Sequence, residues 1–151
     1  MGQVTHDQAE LLLKLYDLRR ESRLREARAW FGANFDCQTL EDVNKKCPMG
    51  SEANASFRMV VSYWEMAANL VNRGLIDDEL FFETSGEALF VWERLRPLAP
   101  AMRAAFKNPQ AWSQLESLAK RMTEWQEKRA PGHMAAMRQM MNPERSASAP
   151  R

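Results

Sequence analysis

Glu65 is the side chain of this 151-residue protein that most directly raises the question of chemistry, because it interrupts the apolar run over residues 63–70. A carboxylate on a mostly buried helix needs a partner, since its ionised form is otherwise strongly penalised. Arg58 lies two turns earlier, and Arg94 or Arg96 could approach from the next long helix. We therefore treat Glu65 and Arg58 as a candidate buried polar site. A Glu–Arg pair that fixes helix register is the favoured interpretation, and a binding or catalytic carboxylate is the alternative.

A second group of carboxylates follows Glu65 and has oxygen ligands of the kind that bind a divalent cation. Its members fall within seven residues: Asp77, Asp78, Glu79 and Glu83. Helical bundles that bind two irons use Glu-x-x-His pairs, whereas neither His6 nor His133 follows a glutamate at that spacing. We favour helix capping by Asp77 and favourable first-turn charge for its neighbours. The sequence therefore predicts neither a metal nor a cofactor.

Methionines with helical spacing lie near the C-terminal end. They are Met134, Met137, Met140 and Met141. Thioethers bind copper(I), but methionine is also an adaptable residue for packing and for protein contacts. We rank packing in the core or against a partner first, an interaction surface second and a metal site third. These four residues form the candidate interface.

Cys37 and Cys47 are the two cysteines, and they are too few for a four-ligand zinc site. In a reducing cytosol we expect free thiols, with a disulfide as the alternative. Neither has a histidine near it in sequence, and the chain has no glycine-rich phosphate loop and no G-x-S-x-G motif. These observations favour a protein that is not an enzyme.

Charge and hydropathy limit the classes of partner. Twenty-one basic residues nearly balance twenty acidic ones, which argues against a nucleic-acid binder. A local basic run is interleaved with glutamates and is interpreted as a solvated face: Arg19, Arg20, Arg23 and Arg25. No stretch approaches the ~20 apolar residues that span a bilayer, and the first residues do not resemble a secretory signal. We expect no membrane span and a cytoplasmic location.

The elements that position these side chains are predicted to be helices, because apolar residues recur mostly at intervals of three or four. Thr5 with Gln8 fits a capping box for a first helix that Gly32 ends or loosens. Within that helix, Glu21 and Arg25 have the spacing and order that favour an ion pair.

A short helix and a long central helix follow. Thr39 and Asp42 are placed to cap a helix that runs through Lys46, and Ser51 or Asn54 to begin the next one. The long helix is apolar on two faces, so we expect it in the interior of the fold.

Turn and cap residues divide the part of the chain after the central helix. Gly74 is predicted to be a C-cap and Asp77 an N-cap. Thr84 with Glu87 fits a second capping box, which opens a helix that Pro97 stops.

Prolines delimit the remaining predicted helices. Pro100 suits the first turn of a short helix. Residues 108–109, Asn-Pro, predict the start of a long helix that Pro-Gly at 131–132 ends. A brief helix over residues 134–141 follows.

Fold class follows from this pattern, since no segment alternates as a strand does. The sequence predicts an all-α fold, a compact bundle of four main helices plus two or three short ones. We expect a single helical domain over residues 1–141 and a disordered tail over residues 142–151, which is poor in apolar side chains. The aromatic-rich segment over residues 56–99 is expected to form the core.

The run from Arg58 to Pro97 resembles small bacterial helical proteins classed as a domain of unknown function. The shared features are a helix bearing Trp64 and Glu65, a G-L-I-D-x-E-L turn that begins at Gly74, and a second aromatic helix. The resemblance implies an all-helical bacterial protein, and members of such groups often carry a membrane anchor. It implies no activity and no catalytic residue.

An apolar surplus motivates the leading functional hypothesis. The chain has five tryptophans, seven phenylalanines and ten methionines, and part of that surface is expected to form an interface. We expect a module that binds another protein or a copy of itself, through the Met-rich segment and the helices around Trp64 and Trp92. The alternative is a bundle that binds a small ligand or metal near Glu65, and an enzyme of unrecognised type is third.

Overall fold

Helices account for all the regular structure in residues 2–142, the part of the chain that the computed structural model describes. The all-α prediction is confirmed. The helices of this range are α1 (His6–Arg19), α2 (Ser22–Asn34), α3 (Leu40–Lys46), α4 (Glu52–Asn72), α5 (Asp78–Thr84), α6 (Glu87–Leu95), α7 (Ala99–Ala105), α8 (Ser113–Arg129) and α9 (His133–Met141). The four longest are α1, α2, α4 and α8, and five short helices accompany them within the described residues. The predicted tail lies outside the described residues except for Asn142.

Helix α4 lies at the centre because it is apolar on two sides, as its sequence predicts. It packs against α2 and against α8. Trp64 is 1% exposed, and Phe57 continues a stack with Phe35 and Phe31 in which successive ring centroids are 4.8 Å apart. One apolar core includes buried residues from every described helix. The described helices therefore share one continuous apolar core.

The first predicted helix is two helices, because a carboxylate starts a new one at Glu21. Its side chain accepts hydrogen bonds from the backbone N–H groups of Arg23 and Leu24, and these bonds lower the pKa of Glu21. The carboxylate is therefore an N-cap, and the predicted ion pair with Arg25 is wrong. Helix α2 also continues through Gly32, which does not end it.

Caps that depend on neighbouring residues alone are where the sequence predicts them. Thr39 and Asp42 form a complete capping box at the start of α3. Ser51 caps α4, and Asp77 caps α5. Gly74 follows α4 with φ +78°, a conformation that glycine adopts without steric cost.

Two predicted helix starts are wrong because the predicted capping residue makes a different hydrogen bond in each case. The Thr84 hydroxyl donates to the Leu80 carbonyl inside α5 instead of capping α6. The Asn108 side chain accepts from the N–H of Gln110 within a turn, and α8 begins only at Ser113. In both cases the residue makes a local turn or helix contact that competes with capping.

Candidate functional site

An apolar cavity of about 270 Å³ lies where α1, α4 and the end of α5 meet. Its lining is mainly leucine and aromatic side chains, two of them tyrosines, with two aliphatic hydroxyls and one guanidinium: Leu12, Leu13, Leu15, Tyr16, Arg19, Tyr63, Trp64, Phe81, Thr84 and Ser85. A concave apolar surface with a few polar groups is the usual form of a small-molecule site. The cavity is therefore the candidate functional site of the described residues.

Two contacts hold α1 over the cavity. Leu15 is the buried residue of α1, and its carbonyl accepts a hydrogen bond from the Tyr63 hydroxyl. At the other end of α1, the Gln8 side chain accepts from the backbone N–H of Asp77 at 3.0 Å. The other leucines of α1 point to several sides of the helix. Some of them therefore face the cavity, and others face solvent.

Arg19 places a positive charge at this cavity. Its guanidinium carbon lies 5.1 Å from the ring centroid of Tyr16 and 5.7 Å from that of Trp64. Both distances are within the range of a cation–π contact. Within residues 2–142 the Arg19 guanidinium has no carboxylate partner, although the side chain is half-buried. Its N–H groups are therefore available to an acceptor.

Two further polar groups lining the cavity lack a partner in the described part of the chain. Ser85 is buried, and its hydroxyl makes no hydrogen bond there. The Trp64 indole N–H is buried and has no acceptor. Of these two donors, the indole N–H is the one that water does not reach, and a buried donor without an acceptor is rare in folded proteins.

The arrangement is suited to binding. Burial raises the pKa of the Tyr63 phenol, which therefore stays protonated and acts as a donor to the Leu15 carbonyl. A ligand with an apolar body would fill the cavity, and Arg19 would face its polar end.

Glu65 and Arg58 are not brought together by the fold. Glu65 is half-buried, and its two carboxylate oxygens accept the backbone N–H groups of Gln114 at 3.0 Å and Leu115 at 2.8 Å. Arg58 is exposed and donates to the Asn54 side chain. The expected Glu–Arg pair is wrong because the first turn of α8 supplies Glu65 with partners, and a carboxylate also complements that helix dipole.

The first turn of α8 needs Glu65 because its own N-cap residue cannot serve. Trp112 holds that position with φ +62°, and its side chain makes no capping hydrogen bond. A carboxylate from α4 therefore takes the place of the missing cap. The sequence analysis identified Glu65 as a site residue but not its partners. Nothing near Glu65 in the sequence indicates that a helix beginning fifty positions later would pack against it.

Glu93 is the more deeply buried carboxylate, and the sequence analysis did not single it out. Its side chain is 4% exposed and accepts from Arg138 of α9 at 3.0 and 3.1 Å. Arg96 donates to the same carboxylate at 3.2 and 3.3 Å. A glutamate between Trp92 and Leu95 on an apolar helix was the signal that could have found it.

The four methionines of the candidate interface have different environments. Met134 is buried against the core, and Met137 is half-buried against it. Met140 is 83% exposed, and Met141 is half-buried. The fold therefore uses Met134 to attach α9 to its own chain, which leaves Met140 as the methionine of this set that faces solvent.

The carboxylates at the start of α5 and within it bind different partners. Asp77 caps the helix, whereas Asp78 forms a bidentate pair with Arg121 at 3.0 Å. Glu83 lies 3.9 Å from Arg129. Within residues 2–142 no three histidine, cysteine or acidic side chains are placed to hold a metal ion.

The family model described as Domain of unknown function (DUF4760) matches residues 4–122, most of the chain. The chain belongs to the DUF4760 family. No curated protein and no solved structure matches it. The resemblance to an uncharacterised domain is confirmed, and the family description carries no activity.

The DUF4760 match includes every residue that lines the cavity, whereas α9 lies beyond it. Glu93 is thus inside the matched region and its partner Arg138 outside. Between residues 2 and 142, no helix has both the length and the apolar character needed to cross a bilayer.

The cysteines of this DUF4760 protein are both free and both buried, on either side of α3. Burial raises the pKa of the Cys37 thiol to about 11, and the neighbouring Cys47 adds to the effect. Burial also raises the pKa of Cys47. Because the thiolate is the nucleophile, neither cysteine is equipped for covalent catalysis at neutral pH.

Proposed function

We propose that the protein is a helical module that binds a small apolar ligand between α1, α4 and α5. The observation that carries this proposal is the cavity of about 270 Å³, whose lining is apolar but includes two polar side chains without a hydrogen-bond partner among the described residues, Arg19 and Ser85. Ligand sites have the same composition, a largely apolar wall with a few polar groups that fix orientation. The volume lies just below the usual range of about 300–1,000 Å³, which suits a small ligand.

Octanol binding tests the proposal with a neutral apolar probe. We expect 1-octanol to bind saturably in isothermal titration calorimetry. The Leu12→Trp variant, which places an indole in the cavity from a half-buried position, should weaken binding by about tenfold or more. Leu18→Trp is the matched control, because Leu18 is exposed on the same helix and does not line the cavity. Octanol binding that is absent, or that Leu12→Trp leaves unchanged, would refute the proposal.

Self-association through α1 is the second candidate function. Apolar side chains of this helix are exposed on more than one side: Leu13, Tyr16 and Leu18 are 63%, 48% and 49% exposed, and exposed apolar groups can form part of an interface. A second copy of the chain is the proposed partner, because a formal net charge of +1 opposes the approach of two copies only weakly.

Sedimentation equilibrium distinguishes this candidate from ligand binding. Leu18→Glu places a charge at an exposed apolar position of α1 that does not line the cavity, so it should reduce dimer formation and leave octanol binding intact. Met49→Glu is the matched control, since Met49 is also highly exposed but lies outside α1. A wild-type protein that stays monomeric up to millimolar concentration would exclude self-association.

A further inference from the structure

We propose that the ligand is a monocarboxylate with an apolar body, whose carboxylate is bound by Arg19 and whose body fills the α1–α4–α5 cavity. This inference rests on the proposed function, since it requires that the cavity be a binding site. It adds the chemical class of the ligand and the residue that selects it.

Cavity volume limits the size of the apolar body. A buried apolar cavity of about 150 Å³ holds one benzene molecule, six carbon atoms. By proportion, about 270 Å³ accommodates roughly ten carbon atoms. That is the size of a medium-chain acid or a bicyclic aromatic acid, and it is too small for the two chains of a phospholipid.

The positive charge of Arg19 favours an anionic ligand in the cavity. Arg19 is the one charged side chain among the described residues that line the cavity. Three other half-buried arginines have carboxylate partners: Arg28 pairs with Glu87, Arg103 with Glu116, and Arg121 with Asp78. Arg23 donates to Ser56, and Arg94 lies over the Phe90 ring without a carboxylate from the described part of the chain, but neither of them lines the cavity. Arg19 instead contacts two aromatic rings, and the described residues supply no anion to its N–H groups. A half-buried guanidinium without a counter-ion favours an anionic ligand.

The donor set favours a carboxylate over a phosphate. A planar carboxylate matches the guanidinium fork and carries a single charge, which one arginine neutralises. A phosphate dianion would call for a second cation, and the described lining has none. Ser85 can supply one further hydrogen bond, because its hydroxyl lacks a partner, whereas the Thr84 hydroxyl already donates to the Leu80 carbonyl.

Calorimetry with octanoate and 1-octanol tests the assignment, because the two probes share the apolar chain and differ in the charged group. We expect the wild-type protein to bind octanoate about tenfold more tightly than 1-octanol. Arg19→Gln should remove that preference and leave 1-octanol affinity within about twofold of wild type. Arg58→Gln, which makes the same charge change on an exposed residue of α4, should alter neither affinity.

Ser85→Ala is a second variant that does not depend on the charge. We expect it to weaken octanoate binding about threefold. Retained 1-octanol binding shows that each variant is folded. Equal affinity of the wild-type protein for the two probes, or octanoate binding unchanged by Arg19→Gln, would overturn the carboxylate assignment and leave the cavity as a neutral apolar site. Failure of both probes to bind would instead overturn the proposed function.

Discussion

Glu93 offers the sharpest test of how this fold is held together, because its carboxylate joins α6 to α9. Its side chain is 4% exposed and accepts from two guanidinium groups, Arg138 and Arg96. The bond to Glu93 raises the pKa of Arg138, so this guanidinium stays charged at all ordinary pH values. The substitution Glu93→Gln keeps the size of the side chain and removes its charge.

The expected cost can be worked from these contacts. Hydrogen bonds to charged groups contribute about 1.5–3 kcal/mol, and breaking a fully buried ion pair costs about 3–5 kcal/mol. Arg138 and Arg96 are 45% and 52% exposed, so water compensates part of the loss. We expect Glu93→Gln to lower the free energy of unfolding by about 2–3 kcal/mol. For a domain of this length, that lowers Tm by about 4–12 °C.

Glu41→Gln is the matched control for Glu93→Gln. Glu41 also pairs with a basic residue, Lys45 at 2.9 Å, but the two side chains are 76% and 74% exposed. An exposed pair of this kind contributes less than about 0.5 kcal/mol. The assay is thermal unfolding followed by circular dichroism, with amide hydrogen exchange in α9 as a second readout. Equal Tm values for the two variants, or α9 exchange unchanged in Glu93→Gln, would refute the reasoning.

Three further predictions follow from individual side chains. Glu65→Gln should lower the free energy of unfolding by about 1–2 kcal/mol in urea titrations, because α8 loses one of its two capping acceptors and a favourable dipole contact. An unchanged midpoint would contradict that role. Cys37 should not react with a disulfide reagent at about pH 8 until urea unfolds the chain, since a pKa of about 11 leaves roughly one Cys37 side chain per thousand as the thiolate. Rapid labelling of the folded protein would contradict its burial. Backbone N–H groups of Gly132 and Met134 lower the pKa of Glu127. The ionised Glu127 side chain therefore contributes its full stability above the ordinary carboxyl pKa, and this contribution is lost as the pH falls through the lowered pKa of the folded state. The Tm difference between wild type and Glu127→Gln should accordingly be present near pH 6 and shrink toward about pH 3, and a difference that grows on acidification would be the wrong sign.

Local signals in the sequence predicted much of this fold. The two apolar faces of α4 predicted its central position, and the capping box of Thr39 and Asp42 predicted α3, because both patterns depend on residues a few positions apart. The break before α2 was missed because Glu21 is compatible with either a helix interior or a cap. Its backbone contacts decide between the two, and they are a property of the folded chain.

The candidate site could not be predicted from sequence, since its lining comes from three separated segments, residues 12–19, 63–64 and 81–85. None of these carries a motif, and Arg19 looks like one member of a solvated basic run until α4 and α5 surround it. Glu65 shows the same limit. Its burial was apparent from neighbouring residues, whereas its partners at α8 depend on how two distant helices pack.

The most direct test of the central claim is an NMR measurement of contacts between the 151-residue protein and octanoate. We predict intermolecular nuclear Overhauser effects from the octanoate chain to Leu12 and Phe81, together with a shift of the Trp64 indole N–H resonance. Octanoate contacts confined to the exposed side of α1, or no contacts with any residue of the cavity, would contradict the account.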